Sequence, residues 1–193
     1  MTAGLLIFSY LLGSIPNGLI FGKLIWHKDL RQFGSKNIGA TNAWRVIGAK
    51  AGILIFLLDF LKGALSVGLA KSLIGDEWIM VGAGLLAVLG HTFSIFLKLR
   101  GGKGVATGLG VISVMMPQVT AIVFATWLII FLVSRYVSLA SIIAAALTPI
   151  LAFEFDEPIA FIMFGILAAL FIIIRHKENI VRLIHGKENR FKG

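Results

Sequence analysis

Cysteine is absent from the 193 residues, which excludes disulfides, thiolate metal ligands and a thiol nucleophile. Charge is scarce as well: 14% of residues are charged against 58% hydrophobic, and the mean hydropathy is +0.95. A soluble domain of this size could not cover so much apolar surface with polar groups, so the bilayer is the natural solvent. The four histidines, His27, His91, His176 and His185, show no ligand spacing, and neither a metal site nor another cofactor is expected. The first apolar segment, Ala3 to Ile25, lacks a basic n-region and an A-x-A-like cleavage site, and is expected to stay as a first span. No internal repeat is evident.

Apolar stretches free of charge lie at about 3–22, 51–58, 63–70, 78–97, 104–134, 136–153 and 158–174. Roughly 20 residues are needed to cross about 30 Å of hydrocarbon. The second and third stretches join into one helix if Asp59 and Lys62, three apart, neutralise one another. The run from Gly104 to Ser134 is too long for one upright helix, and Pro117 near its middle predicts two short helices turning at Met116-Pro117-Gln118. Glu154, Asp156, Glu157 and Pro158 mark a further turn before the last helix. Gly13-Ser14-Ile15-Pro16-Asn17-Gly18 interrupts the first span, where Pro16 predicts a kink and Asn17 a polar contact between helices. The expected architecture is a single all-α, polytopic membrane domain over residues 1–193, with about seven transmembrane helices.

Charge placement predicts its orientation. All of the 18 Lys and Arg residues except Lys62 and Lys71 fall in 23–50, 98–103, 135 and 175–193, which should therefore be cytoplasmic. Asp76, Glu77, Glu154, Asp156 and Glu157, more than half of the nine acidic residues, fall in the opposite turns. The N-terminus is then outside and the C-terminus inside. The basic tail from Arg175 carries an Ile180-Val181-Leu183-Ile184 stripe, as an interfacial helix against anionic headgroups would. Nucleic acid is not an expected partner of this +9 chain, because its basic residues are divided among loops tied to a bilayer and no aromatic stacking platform accompanies them.

Three unusual segments share the predicted cytoplasmic side. The first, Gly34 to Arg45, offers Ser35, Lys36, Asn37, Gly39, Thr41, Asn42 and Arg45, a mixture of small donors, glycines and cations that can wrap an oxyanion. The second runs from His91 through Arg100-Gly101-Gly102-Lys103-Gly104 into the start of a helix, whose unpaired N–H groups and partial positive charge suit a phosphate. It lacks the G-x-x-x-x-G-K-[ST] order, so nucleotide hydrolysis gains no support. The third comprises Ser134 to Ser141 and Arg175 to Arg182, in which His176, Asn179 and Arg182 follow at three-residue intervals and can share a helix face.

These motifs resemble those of the bacterial acyl-phosphate-dependent glycerol-3-phosphate acyltransferases, the PlsY family. The likeness spans nearly the whole chain: G-S-I-P-N-G, then G-S-x-N-I-G-A-T-N from Gly34, D-x-x-K-G from Asp59, G-H at Gly90, G-G-K-G-V-A-T from Gly101 and R-H-x-x-N-I-x-R-L from Arg175. The resemblance implies transfer of a fatty acyl group from acyl phosphate to glycerol 3-phosphate in the plasma (inner) membrane, giving lysophosphatidic acid and phosphate. Ser35, Lys103 and Ser141 are the expected catalytic residues. Lys36, Asn37, Gly39, Thr41, Asn42, Arg45, His91, Arg100, Gly101, Gly102, Gly104, His176, Asn179 and Arg182 are expected to bind substrate. Membrane lipid is the surrounding partner, and a monomer is expected. The H-x-x-x-x-D pair of soluble-fold glycerolipid acyltransferases is missing, since Gln32, Phe96, Val181 and Arg190 stand five residues beyond the four histidines. A substrate phosphate oxygen is the expected proton acceptor instead.

Two other readings compete. A small transporter or channel for a phosphorylated anion would also gather cations, but near the midplane on broken helices, often within inverted repeats. A membrane scaffold would have no use for two phosphate-like loops.

Overall fold

A computed structural model describes residues 1–191, and among these no strand occurs. The chain divides into two compact units, Met1–Val114 and Met115–Gly193. The first contains α1 (Thr2–Ser14), α2 (Asn17–Trp26), the seven-residue α3 (Ala40–Val46), α4 (Ala49–Leu73), α5 (Glu77–Thr92) and nearly all of α6 (Val105–Met115). The second contains α7 (Pro117–Ser134), α8 (Val137–Glu154), α9 (Ile159–Arg175) and α10 (Lys177–Ile184).

The helix ends follow local chemistry. Proline at position 16 has no N–H to give and splits the first span, so α1 and α2 meet at a 43° bend. Asp76 caps α5 by accepting the Ile79 N–H at 2.9 Å. Pro117 opens α7 at its first residue, where its missing N–H costs nothing, and the predicted break falls at Met116. Asp59 and Lys62 do lie in one continuous 25-residue helix, α4. Among the described residues, four helices are long and apolar enough to cross a membrane, or up to six spans if the bent pairs α1–α2 and α9–α10 each count as one. The remaining apolar helix, α6, has 11 residues, about half a full crossing by rise. About seven transmembrane helices were expected, with the run around Pro117 read as two short ones, and α6 is the short helix of that pair.

In the first unit α1 packs along α5, and α4 lies against both. Small residues permit this closeness: a methyl on Gly90 would overlap the Tyr10 carbonyl, and one on Gly13 the Ala87 carbonyl. Packing by small residues is the usual way helices associate in lipid, where burial of apolar surface drives little. Buried hydroxyls turn back on their own helix, Ser9 onto Leu5 at 2.9 Å and Ser66 onto Lys62 at 2.8 Å, which makes them tolerable in an apolar setting.

In the second unit α8 packs against α7 and α9. Phe124, Trp127 and Phe131 stack along α7 with centroids 6.3 and 5.3 Å apart, and Phe191 of the tail meets Phe131 edge-on at 5.3 Å. At His176 the chain bends by 61° into α10, whose Val181 and Ile184 are exposed, as an interfacial helix requires.

Candidate active site

The Gly34–Arg45 segment is shaped from within. Asn42 is buried and accepts the Ser35 N–H at 2.9 Å, while its amide nitrogen lies 2.7 Å from the Asn37 carbonyl, 3.1 Å from that of Phe33 and 3.2 Å from that of Leu30. Asn37 accepts the Gly39 N–H at 2.8 Å. Both asparagines were expected to bind substrate; the Asn42 side chain and the Asn37 Oδ1 also fold the loop. That leaves Ser35 and Lys36 exposed at the tip, with Thr41 half-buried and Arg45 exposed one turn along α3. Beneath them Leu30, Ala43, Ala51 and Ile55 form a closed apolar cluster. Replacing Leu30 by Ala would cost about 2–5 kcal/mol and loosen the floor of the loop.

The glycine loop is folded back onto the end of α5. Gly101 donates its N–H to the Thr92 carbonyl at 2.8 Å, and Gly102 to the His91 carbonyl at 3.1 Å. A side chain at Gly101 would overlap the His91 carbonyl, and one at Gly102 the His91 ring. Gly104, at φ +84°, turns the chain into α6, so Lys103 sits half-buried at that helix's N-terminus and Arg100 stands exposed before it. The first N–H groups of α6 have no carbonyl a turn back to bond. Among the described residues, the fully buried hydroxyls of Thr92 and Thr107 have no hydrogen-bond partner, and both flank this turn. Neither was assigned a role from sequence.

Both loops lean on the α1–α2 break. Ser94 Oγ donates to the Ser14 carbonyl at 2.5 Å, Tyr10 donates to the Phe93 carbonyl at 2.9 Å, and Gly18 is pressed against the Ile38 carbonyl so closely that no side chain would fit. Ser14 and Gly18 are four residues apart. The interruption of the first span therefore anchors both of the segments that carry the predicted phosphate-binding groups.

On the cytoplasm-predicted loop between α2 and α3, Asp29 takes hydrogen bonds from Arg31 Nη2 at 2.7 Å and Nε at 3.0 Å, with Lys23 at 3.2 Å. The Arg31 guanidinium holds its carboxyl well below the usual carboxylate range.

The second unit gathers the third set. Ser141 is buried on α8 and accepts the Trp127 indole N–H at 3.1 Å, so its own O–H remains a donor. His176 is buried with Nδ1 2.8 Å from the Ile172 carbonyl; a carbonyl only accepts, so Nδ1 carries the proton. Asn179 and Arg182 follow on α10 and converge on Glu188, whose carboxylate accepts from Asn179 Nδ2 at 2.8 Å, Arg182 Nε at 2.7 Å and Ser138 Oγ at 3.0 Å. Burial pushes the Glu188 carboxyl up, but these three donors, Arg182 foremost, outweigh it and hold it below the ordinary value. Sequence reasoning missed Trp127 and Glu188, and named Ser138 only as part of the Ser134–Ser141 segment. Only the tail's turn back towards Arg135, where Phe191 N–H meets the Arg135 carbonyl at 2.8 Å, reveals Glu188.

Among the described residues no group of histidines and carboxylates could hold a metal ion. The chemistry available is that of cations, oriented N–H groups and hydroxyls, which suits anion binding and stabilisation of a developing oxyanion.

Known proteins match this arrangement. Residues 3–186 match the family model for glycerol-3-phosphate acyltransferase. A glycerol-3-phosphate acyltransferase of Aquifex aeolicus is 47% identical over 188 residues, covering 97% of each chain. That of Fusobacterium nucleatum is 42% identical over 189 residues, covering 97% of this chain and 96% of its own. Among solved structures, the glycerol 3-phosphate form of PlsY (YgiH), an integral membrane glycerol 3-phosphate acyltransferase, superposes with a TM-score of 0.95 at 46% identity, over 99% of this chain and 96% of that one. The lysophosphatidic acid form of PlsY superposes with a TM-score of 0.93 at 44% identity, over 99% and 95%.

Proposed function

Because the chain belongs to the glycerol-3-phosphate acyltransferase family, we propose that it transfers a fatty acyl group from acyl phosphate to the sn-1 hydroxyl of glycerol 3-phosphate, releasing inorganic phosphate and lysophosphatidic acid. The observation that carries this reading is Lys103 at the N-terminus of α6, in a glycine loop closed by two backbone hydrogen bonds to α5.

The reaction needs little from the protein beyond placement and charge. Acyl phosphate is a mixed anhydride with a good leaving group, so the glycerol hydroxyl attacks the acyl carbonyl, a tetrahedral oxyanion forms, and its collapse breaks the bond to phosphate. The hydroxyl proton passes to a phosphate oxygen, in keeping with the lack of a His–carboxylate base. In our assignment Lys103 and Arg45 hold phosphate and screen its charge, Arg100, Lys36 and the first N–H groups of α6 add to the cradle, and Ser35 and Thr41 donate to substrate oxygens. Ser141, His176 and Asn179 orient substrate, each already fixed by a partner in its own unit.

The remaining reading concerns placement. We assign an outside N-terminus, a cytoplasmic C-terminus, a plasma-membrane location with the chemistry at the cytoplasmic face, and a monomeric enzyme, supported by the segregation of Lys and Arg into four stretches.

The test is direct. Purified protein is incubated with acyl phosphate and glycerol 3-phosphate, and lysophosphatidic acid is quantified, with acyl-CoA and acyl carrier protein thioesters as parallel donors. Product from acyl phosphate alone is expected. Product only from a thioester overturns the donor, and no product from any donor returns the transporter reading, which liposome uptake of glycerol 3-phosphate then checks.

A further inference from the structure

Four polar residues lie buried together inside the first unit. Asp59 and Lys62 on α4 are 3% and 4% exposed, His91 on α5 is 5% exposed, and Asn17 opens α2. Lys62 Nζ is 2.9 Å from Asp59 Oδ1, and Asn17 Nδ2 donates to the same oxygen at 3.0 Å. Lys62 also donates to the Ile15 carbonyl at 3.1 Å, one of the acceptors freed where Pro16 ends α1. His91 Nδ1 stands 3.7 Å from Asp59 Oδ1. A neutral pair alone would explain why the two charges are tolerated in an apolar helix, but it would not explain the approach of Asp59 to His91.

His91 is where this network touches the glycine loop. Its carbonyl receives the Gly102 N–H at 3.1 Å, and its ring fills the space that a side chain on Gly102 would occupy. At 3.7 Å the Asp59 carboxylate lies beyond hydrogen-bond length from Nδ1 but close enough to attract the ring electrostatically in a buried setting, and so it restrains the surface on which the loop rests. Asp59 lies within α4, far in sequence from the loop, and the chain of contact runs from Asp59 to the His91 ring to Gly102 to Lys103.

We propose that Asp59 is a positioning residue for the acyl transfer, holding through His91 the Gly101–Lys103 turn in its phosphate-binding shape, with Lys62 and Asn17 fixing the carboxylate. The claim rests on the function proposed above, so its test includes a readout that does not depend on any reaction. Trypsin cleavage after Arg100 and Lys103 reports how often this turn opens in detergent-solubilised protein.

The main variant is Asp59→Asn combined with Lys62→Met, which removes both charges together and leaves no unpaired ion in the interior. Its expected behaviour is cleavage at the turn at least fivefold faster than wild type, with unchanged cleavage at Lys187 as the internal reference. Its kcat/KM for glycerol 3-phosphate is expected to fall at least 30-fold, divided between a higher KM and a lower kcat. His91→Gln should reproduce the faster cleavage with the Asp59–Lys62 pair intact. Adding it to the double variant should produce no further acceleration, because both changes release the same contact. Should the double variant fail to fold, Asn17→Ala takes its place, retaining both charges and removing one hydrogen bond to the carboxylate, with two- to fivefold faster cleavage expected. Wild-type cleavage in the folded double variant, or in Asn17→Ala where the double variant does not fold, overturns the proposal. So do accelerations from His91→Gln and the double variant that multiply, since Asp59 would then act by another route. If wild-type protein makes no lysophosphatidic acid, the function proposed above fails while the cleavage results still decide whether Asp59 holds the turn.

Discussion

Glu188 accepts the Nε–H of Arg182 at 2.7 Å, six residues back along a tail that has reversed onto its own helix. The same carboxylate holds Asn179 and Ser138, so it ties α10 to the start of α8 and fixes two residues expected to face substrate. Removing its charge by Glu188→Gln leaves Arg182 without its buried partner, a loss of about 2–4 kcal/mol. A fall in melting temperature of about 5–10 °C at pH 7 is expected. The carboxyl titrates below the ordinary 4.5 in the fold, so its contribution is present above that value and disappears as the pH falls through the lowered one. The gap between wild type and variant should therefore narrow on acidification. A gap that stays constant down to pH 3 would rule out the ionised carboxylate as its source.

Lys103 offers the sharpest test of the chemistry. It stands half-buried at the N-terminus of α6, where its charge adds to that of the helix end. Lys103→Ala should reduce kcat/KM by about 10²–10³ while the protein stays folded in detergent, the size of effect seen when one donor to an oxyanion is lost. Turnover within tenfold of wild type would remove the central role given to this residue.

The sequence exposed the skeleton of this fold and concealed its cross-links. Pro16 and Pro117 break helices where expected, since a missing N–H acts locally whatever the surroundings. The Asp59–Lys62 pair was legible for the same reason, being three residues apart on one helix. Asn17 was legible as a polar contact between helices, but its partner Asp59 was not, nor was the approach to His91, because separations of 42 and 32 residues carry no periodic signal. Asn42 carries a structural role the sequence did not disclose: the loop has carbonyls that need a donor, and the Asn42 amide reaches three of them. Ser94, Trp127 and Glu188 were invisible because each acts on a partner brought close by tertiary folding alone.

Trp127 tests whether Ser141 depends on its indole partner. Trp127→Phe keeps the stack with Phe124 and Phe131 and deletes only the N–H that reaches Ser141 at 3.1 Å. A neutral hydrogen bond of this kind is worth about 1 kcal/mol, so kcat should fall about five- to tenfold with little change in melting temperature. Combined with Ser141→Ala, the substitution should cost nothing further. An additional loss in that double variant would show that the tryptophan contributes through its ring instead.

Gly101 and Gly68 make a matched pair. A methyl at Gly101 would overlap the His91 backbone carbonyl, which cannot move without displacing the end of α5, whereas one at Gly68, on α4, would meet nothing within 4 Å. Gly101→Ala is expected to lower kcat/KM for glycerol 3-phosphate by about 10² or more, since displacing binding groups by an ångström is costly. Gly68→Ala should leave activity unchanged and hold or slightly raise stability. Equal effects from the two substitutions would show that crowding at the turn is not what limits the enzyme.

The native lack of cysteine makes orientation testable without any background substitution. Single cysteines at the exposed positions Lys36, Arg100 and Lys187 should react with a membrane-impermeant maleimide only after the cytoplasmic side is opened, and those at Asp76 and Glu154 in intact cells. Lys36 and Arg100 decide the outcome, because their segments contain the groups we assign to phosphate and both lean on the α1–α2 break. A phosphorylated polyol cannot be shared by loops on opposite sides of about 30 Å of hydrocarbon. Labelling of Lys36→Cys and Arg100→Cys from opposite sides would separate the two loops across the bilayer and leave Lys103 and Arg45 without a common substrate.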